Sequence, residues 1–403
     1  MIPPDNEKAL ARRVKDHVVG RSHEFFAVVP PGFEGTAQRE LQELGIAAKA
    51  EGRGGVAFAG RLEDAWRANL GAGTLTRVLM RLQRFKSTGF ADYRSRLAAI
   101  PWELHLADGA RVRFAVSAAG SRLWHEGRLQ EEAARAVAAR MAAAGRRVEM
   151  GGGGAGQLVL IRLEDNRCQV SLDASGELLH RRGLGKLTEA APLRETLARA
   201  ILLEAGIGHY HTLVDPFCGS ATFALEAGSF FLGLPPGLGR SFAFADWPSF
   251  KPARFRHVRE ELAEKMRARA AAGPRRIFCS DLDGKAVETA RRNVAAAGLA
   301  ERVEVDQADF FRLHPPAGDP AGVLLVMNPP YGARQPAGEN AAAFFRRIGD
   351  KVRRDYAGCG FAVIVPGLEN EKALGLPHDR KILFHNGGIP VALLIKNSVT
   401  SDK

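Results

Sequence analysis

The sequence predicts an α/β protein: a mostly parallel sheet with helices on both faces, following smaller α+β modules. Three observations predict it. From residue 211 onward, short apolar runs alternate with amphipathic stretches, the rhythm of strands joined by crossover helices. Ahead of that point, strands and helices come in shorter groups broken by glycine- and proline-rich turns. The chain has 403 residues, 46% hydrophobic and 25% charged, which is too long for one core and has a soluble globular composition.

Each element follows in order. The first 22 residues are polar and basic and read as a flexible tail. "EFFAVVPPGFEGTAQRELQELGI" is a strand, a Pro-Pro-Gly turn and an amphipathic helix; "GGVAFAG" is a strand, "RLEDAWRANLGAG" a helix and "RVLMRLQRFK" a closing strand. A second module runs through a helix around "DYRSRLAAIPW", the strand "RVRFAVSAA" and the helix "EGRLQEEAARAVAARM". The glycine run 151–154 is a flexible break, and "QLVLIRLEDNRCQVSLDAS" reads as two strands around a polar turn. "HRRGLGKLTEAAPLRETLARAILLEAG" is a basic linker running into a helix. Then come "HTLVD", the helix "SATFALEAGSFFLG", a long insertion, "RRIFCSD", the helix "GKAVETARRNVAAAG", "RVEVDQAD", "GVLLVMN", the helix "AAAFFRRIGDKVRRDY" and "GFAVIVPG". "RKILFHNGG" and "PVALLIKN" flank an Asn-Gly-Gly turn and predict an antiparallel hairpin at the sheet edge.

Composition narrows the function classes. No apolar run approaches the roughly 18–20 residues that cross a bilayer, and the N-terminus lacks the apolar stretch of a secretory signal. The four cysteines, Cys168, Cys218, Cys279 and Cys359, are scattered without C-x-x-C pairing, which favours a reducing cytoplasm and argues against a zinc site or any other metal. The net charge is +12 and leans toward the front half. A polyanionic partner explains that surplus, and so does an arginine-rich solvated surface.

Open parallel sheets bind ligands beyond the carboxyl ends of their strands, and three strand ends carry suggestive residues. In "LVDPFCGSATF", Asp215 closes a strand, Gly219 permits a tight turn, and the next helix presents free N–H groups. Neither G-x-G-x-x-G nor a Gly-Lys-Ser/Thr ending is present, so the loop suits a ligand with positive charge better than a pyrophosphate. An ordinary strand–turn–helix corner would look the same. In "CSDLD", Asp281 ends a strand where a carboxylate can accept both hydroxyls of a ribose, 66 positions after Asp215 rather than the ~20 of a compact dinucleotide unit. In "VDQADFF", Asp309 could accept an adenine amino group while Phe310 packs on the ring. Singly each acid could be a helix cap. Together they outline an adenosine pocket with no phosphate grip, which points to S-adenosylmethionine.

A fourth strand end, "GVLLVMNPPYGAR", stops a buried strand with two prolines. The exocyclic amine of a nucleobase is a poor nucleophile because its lone pair is delocalised into the ring. Two fixed acceptors, the Asn328 side-chain oxygen and the Pro329 carbonyl, could take its two N–H protons and aim that lone pair at a methyl carbon. Pro329 and Pro330 lock φ and hold the preceding residues extended, so the acceptors stay in place. Tyr331 could stack on a base swung out of its helix. Positioning would then supply much of the rate.

In that order, "DPFCGSATF", "SDLD", "ADFF" and "NPPYGAR" resemble the donor and catalytic motifs of class I S-adenosylmethionine-dependent methyltransferases acting on nucleobase amines. "LLHRRG…APLRETLARAIL" and "ILFHNGG" are similar to bacterial large-subunit (23S) ribosomal RNA guanine-N2 methyltransferases that carry a THUMP domain; "FFAVVPPGFEGTAQRELQELG" and "VRFAVSAAGSRLWHEGRLQEEAARAV" resemble their front modules. The resemblance spans about residues 24–398. It implies a Rossmann-like methyltransferase domain over 201–403, behind a flexible tail (1–22), a ferredoxin-like module (23–85) intertwined with a THUMP RNA-binding domain (65–175), and a linker with its helix (176–200).

The resemblance further implies that Asp215, Pro216, Phe217, Cys218, Gly219 and Ser220 surround the methionine end of the donor. Asp281 takes the ribose, Leu282 packs on the adenine, Asp309 meets its amino group, and Asn328, Pro329, Pro330 and Tyr331 form the target-base site. Arg111, Arg113, Arg122 and Arg128 become RNA-contact candidates, or solvated surface. Two departures stand out: Gly219-Ser220-Ala221-Thr222 replaces the usual Gly-Ser-Gly-Thr, acceptable if position 221 is already helical, and "HRRGLGK" replaces "HRRGYR". The implied reaction is N2-methylation of a guanosine in 23S ribosomal RNA. Transfer RNA guanosine-N2 methylation, adenine-N6 methylation of RNA or DNA, and a non-catalytic RNA-binding assembly factor are the alternatives.

Overall fold

In the computed structural model, the described residues are 7–151, 156–183, 185–187, 193–270, 275–331 and 340–398; most of the glycine run 151–154 lies outside them. The chain forms two compact units, residues 1–29, 38–179 and 240–261 in the first, and 30–37, 180–239 and 262–403 in the second. Among the described residues no helix is long and apolar enough to cross a membrane.

The first unit opens with α1 (Glu7–Val14), a correction to the flexible tail expected over residues 1–22. Leu10, Val14 and Val18 recur every four residues and are all buried, and Arg13 reaches the buried Glu103 at 2.8 Å. The physical reason is that a short amphipathic stripe sits among enough charge to look like a tail. The unit continues with β1 (His23–Val28), α2 (Glu34–Glu43) from Gln38 onward, β2 (Ala48–Ala50), β3 (Gly55–Gly60), α3 (Leu62–Gly71) and β4 (Arg77–Lys86). It is completed by α4 (Phe90–Ala99), β5 (Ala110–Ala119), α5 (Glu126–Ala143), β6 (Val148–Met150), β7 (Gln157–Glu164) and β8 (Arg167–Asp173). The eight strands form one sheet in the order β2-β3-β1-β4-β8-β7-β5-β6. Alternation along β1 puts Phe25 and Ala27 inside, and Phe25 stacks on its cross-strand partner Phe58. The β7–β8 turn is Asp165-Asn166, both left-handed, the backbone that a two-residue hairpin requires.

The second unit begins with α6 (Glu195–Glu204), β9 (Thr212–Asp215) and α7 (Thr222–Phe231). The insertion after α7 folds with the first unit over residues 240–261, including the first half of α8 (Pro252–Arg269). Its Phe244, Phe250 and Phe255 ring Trp66 of α3 at centroid separations of 5.8–5.9 Å, and Trp247 donates to Gln157 at 2.7 Å. The chain resumes with β10 (Arg276–Asp281), α9 (Gly284–Ala296), β11 (Val303–Gln307), β12 (Val323–Met327), α10 (Ala341–Asp355), β13 (Gly360–Pro366), α11 (Gly367–Leu374), β14 (Arg380–Asn386) and β15 (Ile389–Lys396). The sheet order is β11-β10-β9-β12-β13-β15-β14, parallel through β13, with β14 and β15 as the antiparallel edge hairpin. The central strands β12 and β13 are apolar runs buried on both faces, as a covered parallel sheet requires.

Glu226 of α7 is held below the usual carboxylate range: burial pushes it up, and Arg182 and Arg199 outweigh that. Arg182 approaches at 3.0 Å and Arg199 at 2.9 Å, with all three side chains under 10% exposed. The triad ties the linker and α6 to the helix that leaves β9. Removing the acid strands two guanidiniums, so Glu226→Ala is expected to cost about 3–5 kcal/mol. Chemical denaturation checks this: the midpoint should fall sharply, and a loss under about 1 kcal/mol would mean the arginines find water instead.

Candidate functional site

The sheet register gathers the strand ends that the sequence singles out. Asp215 closes β9 opposite Cys279 of β10, so Asp281 lies two residues beyond on the next strand. Asp281 stands opposite Gln307 of β11, which places Asp309 two residues further along. On the other side of β9, Val214 faces Leu325 of β12, and Asn328 follows Met327 at its end. Asp309, Asp281, Asp215 and Asn328 therefore line the carboxyl ends of four adjacent strands, which neighbour one another at about 4.8 Å spacing. From β9 the chain builds outward through β10 and β11, then returns to β12 on the far side: this is the switch point where open sheets leave a crevice.

The β9–α7 loop is anchored at several points. The Cys218 N–H donates to the Ser280 carbonyl at 2.9 Å, and the Gly219 N–H donates to Asp281 Oδ2 at 2.9 Å. Gly219 is left-handed, and a Cβ there would meet nothing within 4 Å, so the loop borders open space. The Cys218 thiol is held neutral by its hydrogen bond to Cys279 and by burial. Pro216 and Ser220 are buried, and Phe217 lies against Phe310 and Phe344. Ala221 differs from the expectation: it is left-handed, with φ 65° and ψ 33°, and precedes α7 rather than sitting inside it. That conformation costs an alanine about 1–2 kcal/mol, where glycine would pay little.

Asp215 is 1% exposed. Its Oδ1 accepts the Phe217 N–H at 3.4 Å, while Oδ2 has no hydrogen-bond partner among the described residues. Burial pushes its carboxyl up to about 8, with the nearby Asp281 adding and the Phe217 N–H opposing. Asp281 uses one lone pair on each oxygen to hold Gly219 and Asp283, which leaves further acceptor capacity. Leu282, beside it, is 69% exposed. Asp309 caps the short turn that follows by accepting the Phe311 N–H at 3.0 Å. Phe310 is 2% exposed, packed among Phe217, Phe311 and Tyr356, so its ring belongs to the core.

At the end of β12, Asn328 Oδ1 is buried and has no hydrogen-bond partner among the described residues. Pro329 is buried, Pro330 is partly exposed, and Tyr331 packs against the sheet's core. The Tyr331 hydroxyl accepts from Asn386 at 2.6 Å, so the edge hairpin fixes the ring's outer end. Gly332, Ala333 and Arg334 of "NPPYGAR" lie outside the described residues.

Three contributors escaped the sequence reading. Asn293 of α9 donates to the Ser220 carbonyl at 3.1 Å and exchanges hydrogen bonds with the backbone of Leu187, clamping the linker to the β9–α7 loop. Lys186 donates to Thr222 at 2.6 Å and pairs with Glu195 at 3.0 Å. Only the linker's basic character hinted at Lys186; Asn293 and Asn386 looked like ordinary surface polar residues. In the first unit, Arg111 pairs with Glu149 and Arg113 turns to the Gly156 carbonyl. Arg122 and Arg128 are exposed and have no acidic partner among the described residues.

The comparisons agree with this arrangement. A family described as "RMKL-like, methyltransferase domain" (UPF0020) matches residues 182–392, and the "RlmL ferredoxin-like domain" matches 24–79. The chain is 32% identical over 381 residues to "Ribosomal RNA large subunit methyltransferase K/L" of Syntrophotalea carbinolica, covering 92% of this chain and 53% of that protein. It thus spans about half the length of the curated K/L relatives it matches. A Synechocystis protein whose name proposes an RNA methyltransferase is 30% identical, with 92% of this chain and 95% of that one aligned. The crystal structure of SMU.472 complexed with SAH superposes with a TM-score of 0.83 at 25% identity, covering 95% of this chain and all of that one. A Rossmann-like sheet with its crevice at the β9 switch point and a family match over residues 182–392, half of the chain, lead to one assignment: the chain belongs to the RMKL-like methyltransferase-domain family, UPF0020.

Proposed function

We propose that the chain transfers a methyl group from S-adenosylmethionine to the exocyclic 2-amino group of a guanosine in 23S ribosomal RNA. The carrying observation is the pair of buried acceptors, Asp215 Oδ2 and Asn328 Oδ1, at the ends of neighbouring strands. A buried acceptor without a donor costs about 1–3 kcal/mol, and both point to ligands that bring donors or positive charge. The names of the K/L relatives and the SAH-bound neighbour support the donor and the substrate class.

The bound donor supplies a methyl carbon on a positively charged sulfur and leaves as a neutral thioether. Asp215, Pro216, Phe217, Cys218, Gly219 and Ser220 receive its methionine end, where the Asp215 carboxylate faces cationic charge. Asp281 takes the ribose hydroxyls, the exposed Leu282 covers the adenine, and Asp309 meets the adenine amino group through the oxygen its capping bond leaves over. Asn328 Oδ1 and the Pro329 carbonyl accept the two protons of the target amine, which turns the nitrogen lone pair toward the methyl carbon. Tyr331, braced by Asn386, stacks on the extruded base, and Pro330 keeps the corner stiff. The proton lost on methylation leaves to water from an amine that the transfer itself has made acidic. Arg122 and Arg128 of the first unit contribute to RNA capture.

The decisive experiment is mass spectrometry of nucleosides from ribosomal and transfer RNA of a deletion strain. N2-methylguanosine should fall in large-subunit RNA alone; a loss confined to transfer RNA, or of N6-methyladenosine instead, would overturn the substrate. Asn328→Ala should abolish turnover while leaving donor affinity within about twofold, because its oxygen serves the target amine. A large loss of donor binding would reassign it.

The raised Asp215 carboxyl sets a pH dependence. Its folded value, about 8, lies above the unfolded carboxylate at about 3.9, so this group lowers folding stability progressively as pH rises between the two. For the donor the sign reverses: cationic charge needs the ionised form, so binding expels a proton and tightens with pH. Between about pH 6 and 7.5, below the titration of an α-ammonium at about 7.7–8.0, affinity should rise by close to tenfold per unit. Calorimetry in buffers of different ionisation enthalpy checks it, and Asp215→Asn should flatten the profile. A flat profile in the unmodified protein would remove Asp215 from the donor's cationic end.

A further inference from the structure

The chain has four tryptophans, and three are sealed in: Trp66, Trp102 and Trp247 are no more than 5% exposed. Trp124, in the loop between β5 and α5, is 72% exposed. A single exposed apolar side chain is ordinary in itself. Its setting is what distinguishes this one.

The loop is held firmly while its ring is left outside. Leu123 is buried, and the Arg122 N–H donates to Asn166 Oδ1 at 2.8 Å. Asn166, in the β7–β8 turn, also donates its N–H to Ser121 and accepts the Ser87 N–H through its carbonyl. His125 caps α5 by accepting the Arg128 N–H at 3.2 Å, with its ring 5.8 Å from that of Trp124. Trp124 thus sits on fixed backbone, and pre-organisation of that kind reduces the entropy cost of using it in binding.

Charge surrounds the same clasp. Lys86 and Arg167 stand directly opposite each other on β4 and β8, a like-charged pair that a sheet normally avoids. Neither has an acidic partner among the described residues, and the same is true of Arg122 and Arg128. The Arg128 guanidinium lies 4.1 Å over the Phe90 ring, presenting a second flat surface. The neighbouring acids are exposed but engaged locally: Glu126 accepts the Ala118 N–H, Glu164 pairs with Arg162, and Asp165 lies against Gly120. An exposed aromatic ring among unpaired cations matches one kind of partner. Duplex RNA hides its bases and offers phosphates, whereas unpaired nucleotides offer phosphates and free base faces.

We infer that this loop is a stacking platform for unpaired nucleotides of RNA, with Trp124 beneath a base and Lys86, Arg122 and Arg167 on the flanking phosphates. This rests on RNA being the substrate and deepens that reading. The test uses the full chain with a short single-stranded oligouridylate and a hairpin duplex of equal charge. Trp124 is the exposed emitter, so oligouridylate should quench its fluorescence and the duplex should not; the signal should vanish in Trp124→Phe. By anisotropy, Trp124→Ala should weaken single-strand binding about five- to a hundredfold, the range of one lost base stack, while Trp124→Phe retains most of it. The salt dependence should persist in Trp124→Ala and fall by about one phosphate contact in Arg122→Ala. Equal single-strand affinity in Trp124→Ala, or an equal loss for duplex, overturns the inference. If N2-methylguanosine is lost in the deletion strain and Trp124→Ala binds normally, only this platform falls. If quenching occurs but no nucleoside changes, only the proposed reaction falls.

Discussion

The second unit depends on hydrogen-bond capacity withheld at the carboxyl edge of a parallel sheet. Burying an acceptor without a donor costs about 1–3 kcal/mol, enough to be removed by selection for stability alone. Yet Asp215 Oδ2 and Asn328 Oδ1 both lack partners among the described residues, on strands that touch. The sheet tolerates them because β12 and β13, buried on both faces, supply apolar area that easily outweighs two orphaned oxygens. The oxygens stay aimed because the prolines after Asn328 and the tightly bonded loop after Asp215 leave them no route to local satisfaction.

The surrounding shell shows the same division between firm support and stored strain. Asp281 spends two lone pairs on backbone N–H groups, and Asn293 clamps the Ser220 carbonyl to the linker. Against this rigid background Ala221 carries a left-handed backbone that glycine would adopt freely. Its methyl is fully buried, so glycine would relieve about 1–2 kcal/mol of strain but give up about 1 kcal/mol of burial and about 1 kcal/mol to a freer unfolded chain. They nearly cancel. The Gly-to-Ala departure that stands out in the sequence is therefore energetically quiet.

Legibility in the sequence followed the range of the physics. The alternation of strands and helices, the edge hairpin and the four candidate strand ends are local patterns, and all could be read from consecutive residues. The N-terminal helix was hidden because Leu10, Val14 and Val18 are too few to stand out against their charged neighbours. The insertion could be seen, but not that its Phe244, Phe250 and Phe255 pack on Trp66, because that contact joins segments about 180 residues apart. Phe310 shows the complementary failure: "ADFF" reveals an aromatic at a strand end but not which way its ring turns, and the ring turns inward. Asn386 acts through one long-range hydrogen bond and Asn293 through three, which no periodicity announces.

Substrate choice cannot reside in the Asn-Pro-Pro-Tyr corner alone. Two acceptors satisfy the NH2 of guanine and of adenine equally, and a stacking tyrosine accepts any base. Strong discrimination arises when the wrong ligand leaves a buried polar group unpaired, and this corner contains none that distinguishes the two purines. On the proposed reading the corner sets the chemistry, amine methylation, and selection comes from contacts that recognise the RNA around the target. Such contacts need unpaired nucleotides, since a base must leave its helix before the corner can hold it, and extrusion costs least where the strand is already open. A surface that favours single strands lowers that cost before chemistry begins. On that reading selectivity and catalysis are separable, and variation in one surface would redirect the proposed activity without disturbing the other.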